Sequence, residues 1–180
     1  TGADRLSQVR RQLDKLAAAT TSLSEAAAVV DTDPTEAQKE SGNYKKGYYR
    51  QHGLTFVIEN PIGSVRSGKR PDGSTWRTTM TTAHYGYISR TEGADGDGVD
   101  CFLNPEHIEC ELFFVVNQVD PATGKFDDHK VLAGALNEED ARHLYLDHYE
   151  TGWQGLGSIK AMTLPDFKQW LADGDLTKQA

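Results

Sequence analysis

Between Gly42 and about residue 134 the chain is cut into short aromatic and β-branched runs separated by glycine, aspartate and proline, a pattern that excludes a helical bundle for this part. The runs 54–59, 75–80, 84–89, 99–103, 111–119 and 129–134 are predicted strands, and Asp72-Gly73 and Thr123-Gly124 suit hairpin turns. Five or six short strands in one region suggest a closed or partly closed barrel.

The flanks read differently. Leu6, Val9, Leu13 and Leu16 recur at spacings of three and four with Arg10, Arg11, Asp14 and Lys15 between them, which predicts an amphipathic helix over 3–18. Two heptads are too few to establish a coiled coil, so this helix packs on the main domain, on a neighbouring part of a longer parent, or stands in solvent. From Thr20 to Gly42 the Ala, Ser, Thr, Asp and Glu content with Pro34 resembles a linker with room for short helical turns. Two helices are expected at the other end. Asn137 is the predicted N-cap of the first, whose apolar stripe is Ala141, Leu144, Tyr145 and Tyr149. The second begins at Thr163 with Pro165 and Asp166 in its first turn, buries Phe167, Trp170 and Leu171, and stops at Gly174. The expected architecture is therefore mainly β with α: a helix and linker over 1–42, then one domain over 43–180, since 180 residues suit a single core plus an appendage.

A net charge of −8 argues against broad binding to nucleic acid, which relies on many lysine and arginine contacts to phosphates. A small phosphorylated substrate would instead be met locally by cations. Cys101 and Cys110 lack metal-like spacing and are expected to be reduced. No apolar run has the length of a membrane span and the start lacks a signal-peptide pattern, so a cytoplasmic protein is expected. The first residue is threonine, which points to a piece of a longer chain or a processed product.

Asp95, Asp97 and Asp100 fall within six residues behind Tyr85-Gly-Tyr-Ile, with Gly96 and Gly98 freeing the backbone. Such carboxylates repel one another unless a cation sits among them, and Mg²⁺ takes oxygen ligands of this kind. A solvated acidic turn is the other reading, because Asp and Gly dominate ordinary turns. An EF-hand is excluded: Val99 and Asp100 stand where that loop needs a ligand and a glycine. The run Gly63 to Arg70 fails as a nucleotide-binding P-loop, since Arg70 replaces the hydroxyl residue and Pro71-Asp72-Gly73 makes a turn instead of starting a helix. It is read as a hairpin over 63–73. Asp127 and Asp128 are adjacent, so on a regular strand only one can face a given site.

The Asp-x-Asp-x-x-Asp segment ten residues after Tyr85 resembles the signature of the soluble family I inorganic pyrophosphatases. The resemblance extends to Phe56-Val-Ile-Glu59-Asn-Pro61, Arg66, Arg77, Asp127-Asp128-His129-Lys130 and His148-Tyr149, and covers roughly residues 54–150. Ser41-Gly-Asn-Tyr44, Ile58-Glu-Asn-Pro61, Gly93-Ala-Asp-Gly-Asp97 and Lys125-Phe-Asp-Asp-His-Lys130 look closest to pyrophosphatase-like domains of phage and prophage multidomain proteins. That likeness implies an OB-like barrel with carboxy-terminal helices and Mg²⁺-dependent hydrolysis of pyrophosphate by a metal-bridged water. It implies Asp95, Asp100 and Asp128 as metal ligands, with Asp120 and Asp127 as further candidates, Asp97 as general base, and Glu59 behind the ligands. Arg66, Arg77, Lys130, Tyr85 and Tyr149 would hold phosphate oxygens; the two tyrosines read equally well as core aromatics. The family's usual lysine after the second tyrosine is replaced by Glu150, and an acidic residue near Arg66 by Gly68. Lys160 is one candidate to compensate for Glu150. These departures motivate two alternatives, hydrolysis of a nucleotide diphosphate and a non-catalytic module of a phage-type protein. A homo-oligomer or neighbouring domains of a larger parent are the expected partners.

Overall fold

The structure, a computed structural model, describes residues 2–180, with the side chains of residues 3 and 14–20 outside the described set. The amino-terminal pattern forms helix α1, Gly2–Thr20. Leu6, Val9 and Leu13 on it remain exposed; Leu16 lies outside the described side chains.

The linker-like stretch holds two short helices, α2 (Leu23–Ala28) and α3 (Glu36–Ser41). Ser22 caps α2 by accepting from the Glu25 N–H, and Thr35 and Gln38 form a capping box on α3, which ends at Gly42 with φ 67°. α2 is part of the core: Leu23, Ala26, Ala27 and Val30 are buried in it. The alanines that suggested a flexible spacer serve close packing. A Cβ at Gly47 would lie 2.1 Å from the Ala26 carbonyl oxygen, so helix and strand pass with only backbone between them.

Nine strands follow among the described residues: β1 (Gly47–Gln51), β2 (Leu54–Asn60), β3 (Val65–Lys69), β4 (Thr75–Thr79), β5 (His84–Ile88), β6 (Val99–Leu103), β7 (Leu112–Val119), β8 (Phe126–Ala133) and, after helix α4 (Glu138–Leu146), β9 (Leu156–Thr163). Helix α5 (Leu164–Asp173) ends the fold. Seven strands form one sheet in the order β1-β2-β5-β6-β8-β7-β9, and β3-β4 is a separate hairpin. Only β6 and β8 pair in parallel within the sheet; the other pairs are antiparallel. The mainly β, barrel-like class expected from the sequence is the one the chain adopts. It has more than six strands because β1, β3 and β9 carry weak patterns; β9, Leu-Gly-Ser-Ile-Lys-Ala-Met-Thr, is an edge strand with mostly exposed residues. The hairpin is also longer than 63–73, with its turn at residues 70–74 and β4 as its second arm.

The sheet separates two cores. Alternation on β7 sends Phe113 and Val115 to one and Phe114 and Val116 to the other. The first core also takes α2 and Phe167 of α5, whose ring stacks on Phe113 at 4.3 Å. The second takes Ala141, Leu144 and Tyr145 of α4, which is capped by Asn137 through the Asp140 N–H at 2.8 Å. Tyr149 lies beyond the end of α4, where its ring stacks on Trp153 at 5.0 Å. Thr163 and Gly174 bound α5 as expected, with Trp170 and Leu171 only partly buried.

Candidate active site

Strand register builds the centre of the site. Tyr87 opposes Asp100, Asp100 opposes Lys130, and Lys130 opposes Val116, so these side chains form one row across β5, β6, β8 and β7. The next row, Tyr85, Phe102, Leu132 and Phe114, is aromatic and aliphatic and belongs to the second core. Polar groups thus sit on an apolar floor, where charges are poorly screened.

Lys130 is buried and donates to Asp100 Oδ2 at 2.5 Å, to Asp128 Oδ2 at 3.2 Å and to the Tyr85 hydroxyl at 3.2 Å. Burial alone would depress its ammonium, but the Tyr85 hydroxyl and Asp100 outweigh this and hold it well above its usual range. Asp128 responds oppositely. Burial pushes its carboxyl up to about 6; Lys130 opposes that rise and Asp100 adds to it.

The loop 90–98 brings the third carboxylate. Thr91 donates to the Ile88 carbonyl and accepts from the Val99 N–H, and the Gly93 N–H reaches the Asp97 carbonyl at 2.6 Å. Gly96 adopts φ 85°, a conformation that glycine permits without strain. Inside the loop Asp95 Oδ1 accepts from the Asp97 N–H at 3.0 Å. Asp95, Asp100 and Asp128 then offer carboxylate oxygens all within 4.8 Å of one another. Lys130 engages only Oδ2 of Asp100 and Asp128, leaving a second oxygen on each. Three hard oxygen donors, one on a loop and two on paired strands, suit a divalent cation such as Mg²⁺.

Arg66 projects from the inner face of the β3–β4 hairpin. Its guanidinium lies 3.8 Å from the Tyr85 ring centre and 4.8 Å from that of Trp76, and Nη2 donates to the Tyr85 hydroxyl at 3.0 Å. Burial disfavours its charge, yet the Tyr85 and Tyr149 hydroxyls and Asp100 raise it above its ordinary value. Nη1 is buried with no protein partner, a donor available to an anion. Glu59, on a bulge of β2, accepts from the Tyr44 hydroxyl at 3.2 Å and lies 4.0 Å from Lys46; burial raises its carboxyl.

Other expected residues stand apart. Asp97 is exposed at the loop tip and is not among the three clustered carboxylates. Arg77 pairs with Ser67 on the exposed face of the hairpin, opposite the face that carries Arg66. Asp120 is exposed and caps its own turn by accepting from the Ala122 N–H at 2.8 Å. Asp127 escapes the simple two-face rule: a bulge between Gln118 and Val119 leaves it extra on β8, and its Oδ2 accepts from the Gln118 amide at 3.0 Å. Lys160 opposes Val115, which faces the first core, so it shares no face with Lys130. Glu150 lies 3.8 Å from Arg70 of the hairpin turn.

Gln118 was not foreseen from the sequence. Its Oε1 accepts from Tyr145 at 2.7 Å and Tyr149 at 3.0 Å, while Trp153 donates to the Tyr145 hydroxyl at 2.9 Å. The adjacent amides Asn117 and Gln118 near the end of an otherwise apolar strand were the one available signal. The network fixes Tyr149 against Arg66 and places Asp127 behind the site. Among the described residues no helix is long and apolar enough to cross a membrane.

The family model described as Inorganic Pyrophosphatase matches residues 36–172. No curated protein and no solved structure matches the chain.

Proposed function

Because the chain belongs to the inorganic pyrophosphatase family, we propose that it hydrolyses inorganic pyrophosphate to two phosphates with a divalent cation, Mg²⁺, held by Asp95, Asp100 and Asp128. The observation that carries this is the juxtaposition of those three carboxylates, within 4.8 Å, with Lys130, Arg66 and Tyr85 on one floor. A bound cation would neutralise part of the substrate's charge and make a proton easier to remove from water. Arg66 offers the unpartnered Nη1 to a phosphoryl oxygen, held in place by its stack on Tyr85. Lys130 bridges Asp100 and Asp128 and adds positive charge beside the substrate. Asp97, exposed on the loop that also carries Asp95, takes the proton from the attacking water. The Tyr149 hydroxyl, oriented by Gln118, and Tyr85 complete the polar wall. Asp120 and Arg77 are left without a contact to substrate or cation.

The test is phosphate release from pyrophosphate by the full chain with and without Mg²⁺. Release should require Mg²⁺ and fall by about 10²-fold or more in Asp97→Asn. Equal release by parent and variant would overturn the base assignment. Silence of the parent with pyrophosphate, but turnover of a nucleotide diphosphate, would shift the substrate to the larger anion.

A further inference from the structure

α1, the β1–β2 turn, the loop after β5 and α5 line a groove of about 670 Å³. Arg11, Arg50, Arg90 and Lys168 line it, and among the described residues no carboxylate does. A second hollow of about 390 Å³ shares Arg11 and Arg90, adds Arg5, and among the described residues also has no carboxylate on its lining. In a chain with 27 acidic and 19 basic residues this is a local inversion of charge. Several of the protein's other lysines and arginines form ion pairs, whereas among the described residues these five form none.

The backbone is arranged to bring the cations together. Arg90 adopts φ 63°, a left-handed conformation uncommon outside glycine. Lys168 reaches across from α5 to the β1–β2 turn, where a Cβ added at Gly53 would lie 3.0 Å from its ammonium. Like charges held at one groove without counter-charges repel, and an anion bridging them removes that repulsion. Arginine forks match phosphate oxygens in pairs and lysine adds a point charge. The volume lies in the range of small-ligand sites. Leu54 and Leu171 supply apolar wall on the same groove.

We propose that this groove binds an oligophosphate anion, the phosphate chain meeting Arg11, Arg50, Arg90 and Lys168. The site is independent of the pyrophosphatase reading and shares no lining residue with the acidic cluster. Two sources carry this chemistry, a nucleoside triphosphate and an inorganic polyphosphate.

The experiment is a titration of the ¹⁵N-labelled full chain, in EDTA without added metal, with inorganic tripolyphosphate and separately with ATP. Saturable shifts are expected at the amides of Arg50, Gly53, Ser89 and Lys168. In Arg50→Glu/Lys168→Glu the affinity should fall at least tenfold, and both exposed sites leave the amide spectrum otherwise folded. A charge-matched control, Lys39→Glu/Arg142→Glu on α3 and α4, should bind like the parent. Tighter binding of ATP identifies the nucleotide, with its base on the apolar wall; equal binding identifies the phosphate chain alone. Absence of saturable binding, unchanged affinity in the groove variant, or shifts confined to residues around Asp100 and Lys130 would overturn the proposal.

Discussion

Asp95 and Asp120 sit in turns of similar construction. Each carboxylate accepts from the backbone N–H two residues on, at 3.0 Å from Asp97 and 2.8 Å from Ala122, and each is exposed. Asp95 nevertheless lies within 4.8 Å of two further carboxylates, whereas Asp120 belongs to no such group among the described residues. The turns do not account for the difference. It comes from the strands behind the first loop, where parallel pairing of β6 with β8 sets Asp100 opposite Lys130 and carries Asp128 on the same face. An acidic turn becomes part of a site when long-range register places buried charge beside it.

The largest expected break in this contrast is at Lys130. Replacing it by Met removes the ammonium between Asp100 and Asp128, and loss of one partner from a buried ionic group costs roughly 3–5 kcal/mol. Urea unfolding in EDTA should show that loss. Mg²⁺ should restore more stability to Lys130→Met than it adds to the parent, because a second cation then replaces the missing one. A variant as stable as the parent would mean that the carboxylates are not held together by Lys130.

A smaller effect follows from Asp128, whose carboxyl is pushed by burial from its ordinary 3.8 up to about 6. The folded state therefore holds this proton more tightly than the unfolded state. Stability should be greatest below about pH 4 for this group and fall as pH rises through 6, by something on the order of 2–3 kcal/mol. Asp128→Asn should flatten that decline in metal-free protein, as should a saturating divalent cation, which favours the carboxylate. Urea midpoints at pH 4, 5 and 6 give the answer; an identical slope in parent and Asp128→Asn would place the titration elsewhere.

What the sequence revealed follows the same division between local and long-range information. The caps Asn137, Thr163 and Gly174 and the turn glycines were legible because each signal lies within a few residues of the element that it bounds. The spacing from Tyr85 to Asp100 pointed to the acidic cluster, and the shared parity of Asp128 and Lys130 placed both on one face. The bulge that redirects Asp127 was not legible, because it depends on how β7 and β8 meet. Arg66 and Arg77 looked equivalent as cations, but pairing of Ser67 with Arg77 puts them on opposite faces. The turn at Pro71-Asp72-Gly73 contained that register, since it fixes which residues oppose each other across the hairpin. The burial of α2 was hidden by its composition: alanine serves a close-packed helix and a flexible spacer equally well.

Asp120→Ala is the smallest and most discriminating test of the contrast. It removes the side-chain acceptor from the Ala122 N–H, while the Asp120 carbonyl keeps its bonds from the Thr123 and Gly124 N–H groups. Both the turn and the side chain are exposed, so the freed N–H turns to water and the cost should stay below about 1 kcal/mol. Mg²⁺-dependent phosphate release should remain within about twofold of the parent, since only changes approaching 1.4 kcal/mol reach tenfold. Asp95→Ala removes an equivalent turn contact, at Asp97, but also one of the three clustered carboxylates. Its melting point should move as little as that of Asp120→Ala, while its Mg²⁺ requirement rises. If Asp120→Ala instead raised the Mg²⁺ requirement as much, the turn at 120–125 would have to close on the site during the reaction, and local turn chemistry would count for more than strand register.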